Sequence, residues 1–266
     1  PNDLQHAYTL SSTMSGDGQT IGIIDAYNDP NAEHDMNMYR TTYHLSSCTT
    51  ANKCFTKVNQ SGGTTRYPRS DQGWAGEIAL DLDMASAICP LCHILLVEAN
   101  SSSFNALGTS VNTAARLGAT VISNSYGGPE DAQSAQSLAH YYNHPGVIIT
   151  ASSGDSGYGV QLPAALNTVI AVGGTSLTQD STTIRGWRES AWDGSGSGCS
   201  QYVSKPVWQQ DSGCHNRAVA DVSAVADPDT GVAVYNTYGG AGWGVHGGTS
   251  ASPPFFSGVF VLGGEA

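Results

Sequence analysis

"TIGIIDAY", Thr20–Tyr27, decides how the rest of the chain is read. It is an apolar run rich in β-branched residues, and it ends on an aspartate, Asp25. Such a run reads as a strand buried on both faces, which requires helices above and below it. The sequence supplies them in alternation. Asp29-Pro30 opens a helix that reaches about Tyr43, with the proline where a first turn tolerates it. "HILLVEA" from His93 is a second strand, and Ser101–Ser103 offer an N-cap for a helix ending near Gly118. "ATVISNSYGG" from Ala119 is a third strand, followed by a helix after Pro129 that stops by Pro145-Gly146. "GVIITASSGD" from Gly146 and "NTVIAVGG" from Asn167 are a fourth and a fifth. The alternation predicts an α/β fold, a parallel sheet with helices on both faces. Thr178–Asn216 breaks into Gly, Ser, Asp and Trp and reads as long loops. With no linker and no internal repeat, residues 1–266 are expected to form a single domain.

Composition narrows the function classes. Ten Lys and Arg stand against 22 Asp and Glu, a net charge of −12. That excludes nucleic acid as a partner, because phosphate binding needs a basic face. No apolar run is long enough to span a membrane. No signal peptide is visible at Pro1, so the chain reads as a processed form or as a cytosolic protein. The six cysteines fall into three close pairs, Cys48/Cys54, Cys89/Cys92 and Cys199/Cys214. An even count at close spacing favours disulfides between nearest neighbours and an oxidising compartment. Cys89-Pro-Leu-Cys92 alone could be a redox or zinc half-site, but no second CxxC accompanies it and no metal is assigned.

In parallel α/β sheets, sites form beyond the carboxyl ends of the strands. Asp25, "SNSYGG" (Ser123–Gly128) and "SSGDSG" (Ser152–Gly157) are all expected there. So is Ser250 of "GGTSASPP" (Gly247–Pro254), set between glycines and a proline-started helix in a turn that exposes its hydroxyl. A serine hydroxyl needs a base to become a nucleophile. Among the eight histidines, none sits at the start of a helix as a Ser-His-Asp triad with Asp25 would require; His246 is near Ser250 in sequence only. What stands in the place of that helix is "GWAGEIALDLDMASA", Gly73–Ala87. Glu77 and Asp81 lie four apart, hence one above the other on a helical face, with Ile78, Leu82 and Ala85 on another. An acidic pair of this kind is ordinarily a solvated face. Set among Trp74, Gly76 and apolar residues, two close carboxyls can instead share a proton, one acting as base and the other orienting it. That is a serine triad with Glu in place of His, suited to acid.

With "GEIALDLD" (Gly76–Asp83), "SSGDSG" and "GGTSASPP" in this order, the chain resembles the sedolisins, serine-carboxyl peptidases with a subtilisin-like fold. The resemblance runs from Ala7 to Gly258. It implies Ser250 as nucleophile, Glu77 as general base, Asp81 as its partner, and Asp155 as a protonated oxyanion-hole donor. By analogy, Ser125, Tyr126, Gly127 and Gly128 line the substrate cleft. The resemblance further implies polypeptide substrates, a pro-segment, secretion, a monomer, and calcium bound in a C-terminal region not present in this chain. Phe255-Phe256 depart from the pattern, as larger residues than the family's helix usually carries. Two other readings compete: a subtilisin-like Ser-His-Asp hydrolase using Asp25, and a non-catalytic binding domain on a peptidase scaffold.

Overall fold

The computed structural model describes residues 1–10 and 15–264. A short helix, α1 (Asn2–Ala7), leads into β1 (Thr20–Ala26), α2 (Ala32–Thr42) and β2 (Phe55–Asn59). Next come α3 (Gln72–Ile88), β3 (His93–Ala99), α4 (Phe104–Arg116) and β4 (Val121–Asn124). They are followed by α5 (Ala132–Leu138), β5 (Ile148–Ser152), β6 (Ile170–Gln179), β7 (Trp187–Ala191), β8 (Val222–Val225) and α6 (Ser252–Leu262). These eight strands form one sheet in which β8-β6-β5-β4-β1-β3-β2 are neighbours in that order, all parallel. β7 pairs antiparallel with the distal half of β6. Two hairpins, Gly198–Ser204 with Asn216–Val219 and Val232–Asn236 with Gly242–His246, lie outside the sheet.

The alternation of side chains along β1 distributes the core. Ile21 and Ile23 pack with Ile78, Leu82 and Ala85 of α3, while Ile24 and Ala26 pack with Leu107, Val111 and Ala114 of α4. Helices therefore cover both faces, as the apolar runs require. Gly22 sets the approach of α4: a Cβ there would sit 3.1 Å from the Cβ of Ala119 and 3.2 Å from that of Ala114. The same period of two turns Asp25 toward α3. Asp71 caps α3 by accepting from the N–H groups of Gly73 and Trp74, at 3.1 and 3.2 Å. Ser103 caps α4 through Ala106.

Four sequence expectations shift. α2 starts at Ala32, because Asp29 folds its side chain back to accept from the Asn31 N–H at 2.8 Å instead of capping the helix. α5 is short; Asp131 caps it, and a 3₁₀ turn over Ala139–Tyr141 replaces its last turns. β6 runs on to Gln179, beyond the apolar segment. Thr178–Asn216 is not only loop: it holds β7 and the first strand of a hairpin. Those strands lie at or outside the sheet's edge with polar faces toward solvent, so they leave no apolar run to read.

Three disulfides join Cys48–Cys54, Cys89–Cys92 and Cys199–Cys214, with Cα separations of 4.8, 5.3 and 5.4 Å. The pairings are those the spacing predicts. Phe255, expected to crowd α6, is fully buried and meets the ring of Tyr8 edge-on at 4.5 Å. The segment following α1 thus supplies the space that the larger side chain needs.

Candidate active site

The strand order β3-β1-β4 places a switch point at the carboxyl ends of β1 and β4, where such sheets open a crevice. Asp25 ends β1 on the α3 side, Ser125 follows β4, and Asp155 follows β5. Ser250 enters from a 3₁₀ turn, Thr249–Ala251, that runs directly into α6. Pro253 and Pro254 occupy that helix's first turn, where their missing N–H groups cost nothing.

Ser250 is half-buried, and its backbone is pinned. Its carbonyl accepts from the Ser125 hydroxyl at 3.0 Å, and its own hydroxyl reaches the Ser125 carbonyl at 3.3 Å. The hydroxyl also lies close enough to the Glu77 carboxyl to favour its ionised form. Burial pushes the Glu77 carboxyl up to about 7; the Ser250 hydroxyl pulls against that, and Asp155 nearby adds to it. Glu77 Oε1 is buried and has no hydrogen-bond partner.

One helical turn beyond Glu77, Asp81 is fully buried, and so is Asp25 across from it. None of their four oxygens has a hydrogen-bond partner of good geometry. Burial drives Asp81 well above the usual carboxylate range, with Asp25 and Glu77 adding repulsion; the nearby Ser125 hydroxyl opposes this weakly. Asp25 is raised in the same way by burial, then by Glu77 and Glu98. Three bare carboxylates in such a place would each cost several kcal/mol. The cluster therefore exists by holding protons, and neighbours that share them form one coupled unit.

Asp155 is anchored by one oxygen only. Its Oδ1 accepts from the Thr249 N–H and from the Thr249 hydroxyl, both at 2.7 Å, and that hydroxyl oxygen in turn accepts from the Gly154 N–H at 3.0 Å. Its Oδ2 faces Gly248, whose φ of 105° is left-handed. A Cβ on residue 248 would come within 2.7 Å of Oδ2. Glycine keeps that oxygen free to carry a proton or meet a ligand.

The cleft beside Glu77 is a cavity of about 450 Å³ bordered by Asp71, Trp74, Ser125, Tyr126 and Gly127. Of the four cleft residues named from sequence, Ser125 clasps Ser250, and Gly127 is exposed. Tyr126 turns its hydroxyl inward to Asn124 and Tyr142. Gly128 pairs with Leu162. A second cavity of about 280 Å³ lies beyond Gly154, with Gln161 in its wall. Gln161 packs so closely over Gly127 and Gly154 that a Cβ on either would overlap its amide. Nothing in the sequence marks Gln161. Thr249 and Asp25 were legible as positions, but not as the anchor of Asp155 and the neighbour of Asp81.

No histidine hydrogen-bonds to Ser250, Glu77, Asp81 or Asp25 among the described residues. His6 pairs with Trp187, His34 with Asp35, and His144 with Asn112. His246 is half-buried on the second strand of a hairpin. Nor does any group of three or more His, Cys, Asp or Glu side chains among the described residues form a metal site. No helix there is long and apolar enough to cross a membrane.

The sheet, the crevice and a serine surrounded by carboxyls define an α/β serine-hydrolase domain of the subtilisin type. The subtilase family model matches residues 16–265, so the chain belongs to that family. Within it the chain is a member of the sedolisins, which are serine-type peptidases. It is 30% identical to kumamolisin of Bacillus sp. (strain MN-32), over 97% of this chain and 50% of the relative. To sedolisin of Pseudomonas sp. (strain 101) it is 27% identical, over 98% and 49%. The chain thus spans about half the length of these curated relatives. The solved Pseudomonas sedolisin, a serine-carboxyl proteinase complexed with pseudo-iodotyrostatin, superposes with a TM-score of 0.80 at 26% identity, covering 98% of this chain and 79% of that one. Sphericase, at 21% identity and a TM-score of 0.64, covering 99% and 84%, shares the fold.

Proposed function

We propose that this domain hydrolyses peptide bonds of polypeptide substrates in acid, through an acyl-enzyme on Ser250 with Glu77 as general base. The observation that carries this reading is the Ser250 hydroxyl set against Glu77, with Asp81 one turn behind and no histidine bonded to any of them. Ser250 Oγ adds to the carbonyl carbon as its proton passes to Glu77. Asp81, one helical turn behind, is coupled to Glu77 by charge, and the buried pair retains a proton between them. The carbonyl oxygen, now negative, is met by protonated Asp155 through Oδ2, the oxygen left free by Thr249 and Gly248. Glu77 then returns its proton to the leaving amine, the C–N bond breaks, and an ester on Ser250 remains. Water, deprotonated by Glu77, attacks the ester; the acid product and Ser250 are released.

The cleft beside Trp74 and Gly127 accommodates an extended peptide, and the cavity walled by Gln161 accepts a side chain from it. The domain works as an endopeptidase and a monomer in an extracellular, oxidising setting that its three disulfides fit. Its own pro-segment is a further partner of the cleft. The test is digestion of an unfolded protein from about pH 2 to 9, beside the Ser250→Ala variant. Cleavage confined to acid and absent from Ser250→Ala is expected. Activity rising into the alkaline range would favour a histidine base, and none at any pH would favour a binding module.

A further inference from the structure

The carboxyl string does not end at Asp25. Asp25 and Glu98 are register partners on the adjacent strands β1 and β3, with side chains on the α3 side of the sheet. Glu98 is fully buried; Oε1 accepts from the Asp29 N–H at 2.9 Å, and Oε2 has no partner. On the next strand, β2, the Lys57 ammonium lies 2.9 Å from Glu98 Oε1. It also donates to Asn28 Oδ1 at 2.6 Å and to the Asp29 carbonyl, with the Tyr67 ring 4.7 Å away. From nucleophile to cation the order is Ser250, Glu77, Asp81, Asp25, Glu98, Lys57. Among the described residues, Lys57 is the one cation in contact with this string.

The groups facing it are few. Asp25 meets Glu77 and Asp81 from α3, Glu98 from β3 and the Tyr126 phenol from beyond β4. Glu98 meets Lys57 from β2, Asp29 from the turn after β1, and Tyr67 from the segment before α3; Asp35 of α2 stands behind Asp29. Arg69 is occupied with the Tyr27 ring. Burial pushes Glu98 up to about 7 against the pull of Lys57. In acid, Glu98 is accordingly neutral for much of the time, and less of the Lys57 charge two strands from Asp25 is compensated.

We propose that Lys57, held in place by Glu98, is a positioning residue that acts through Asp25 on the Glu77–Asp81 pair and sets the pH at which Glu77 becomes an active base. This rests on Ser250 and Glu77 being nucleophile and base. A unit charge two strands from Asp25, roughly 10 Å through an effective dielectric near 20, moves the Asp25 titration by about one pH unit, and that of Glu77, farther along the string, by roughly half a unit. Removing a cation makes carboxyls hold their protons to higher pH.

The experiment is kcat/KM against pH for the wild type, Lys57→Met, Glu98→Gln and the double variant, each checked for folding by circular dichroism. The acid limb reports ionisation of the base in the free enzyme. Lys57→Met should move that limb upward by roughly half a unit. Glu98→Gln should leave it in place or lower it, since only the anion is lost. The double variant should follow Lys57→Met; it decides the matter by the same sign if a single variant does not fold. A purely structural pair would make both single variants alike, because each breaks the same 2.9 Å contact. Displacement of both in one direction, or an unmoved limb without Lys57, overturns the proposal. Ser250→Ala separates the layers: activity there sinks the active-site reading itself, whereas an unmoved limb with Ser250→Ala inactive sinks only the role of Lys57.

Discussion

Raising the pH from about 4 to above 7 should destabilise this fold by several kcal/mol, an expectation that needs no catalysis to test. Burial lifts Glu77 and Glu98 from 4.5 to about 7, and Asp29 from 3.8 to about 6. Between the unfolded and folded values, the native state keeps protons that the unfolded chain has lost. Unfolding there releases protons, so stability falls as pH rises. The contribution is complete below about pH 4, is lost through 6 to 7, and is absent above. Each shift exceeds two units and is worth roughly 3 kcal/mol alone. Proton sharing keeps them from adding fully, so roughly 5 kcal/mol is expected in sum. For 266 residues, with about 2 cal/mol/K of unfolding entropy each, that lowers Tm on the order of 10 °C. Asp131 and Asp211, which are exposed, and the half-buried Asp180 act with the opposite sign, since hydrogen bonds lower their pKa and stability is lost as pH falls through them. The assay is scanning calorimetry of Ser250→Ala, which should not digest itself, in two buffers of different ionisation enthalpy. A Tm flat or rising between pH 4.5 and 7, or no proton release near pH 5.5, would refute the picture of a proton-holding core.

Glu77→Gln should lower kcat by about a hundredfold or more at every pH, while single His→Ala changes at all eight histidines leave it within a few fold; an inactive histidine variant that remains folded would reverse the assignment. Asp155→Asn keeps a donor at every pH, so it should be slower than wild type in acid yet lose less activity as pH rises; parallel kcat profiles would return Asp155 to a turn role. Gly248→Ala puts a methyl 2.7 Å from Asp155 Oδ2 at a left-handed φ, and should lower kcat more than it raises KM. Thiol titration of the denatured, unreduced protein should find no free thiol; two or more would contradict the three disulfides.

The sheet was legible because its strands carry their own signal. β1, β3 and β5 are apolar on both faces, and only a strand between two helical layers can afford that. The helix cap at Ser103 is a local side-chain bond and follows from sequence in the same way, whereas the equally local cap at Asp71 was not read. β7 and the hairpin strand at Gly198 were not legible. Their residues are exposed or half-exposed, and what makes them strands is a partner far along the chain.

The site divides along the same line. Glu77 and Asp81 could be paired from sequence because an interval of four fixes neighbours on a helix whatever surrounds it. Asp25 was visible as a strand end, but its meaning depended on the partner. Read against the histidines it suggested one triad, whereas the period of two along β1 turns it to α3 and thus to Asp81. Glu98 and Lys57 belong to β3 and β2, the first and second strands out from β1, and they are brought there only by the crossover order, which no spacing in the sequence carries. The chemistry nearest the serine is therefore written locally, in one helix and three short turns. The charges that set its working pH are written in the topology. A substitution at Lys57 or Glu98 lies far from any motif, yet it bears on the same protons as one at Glu77.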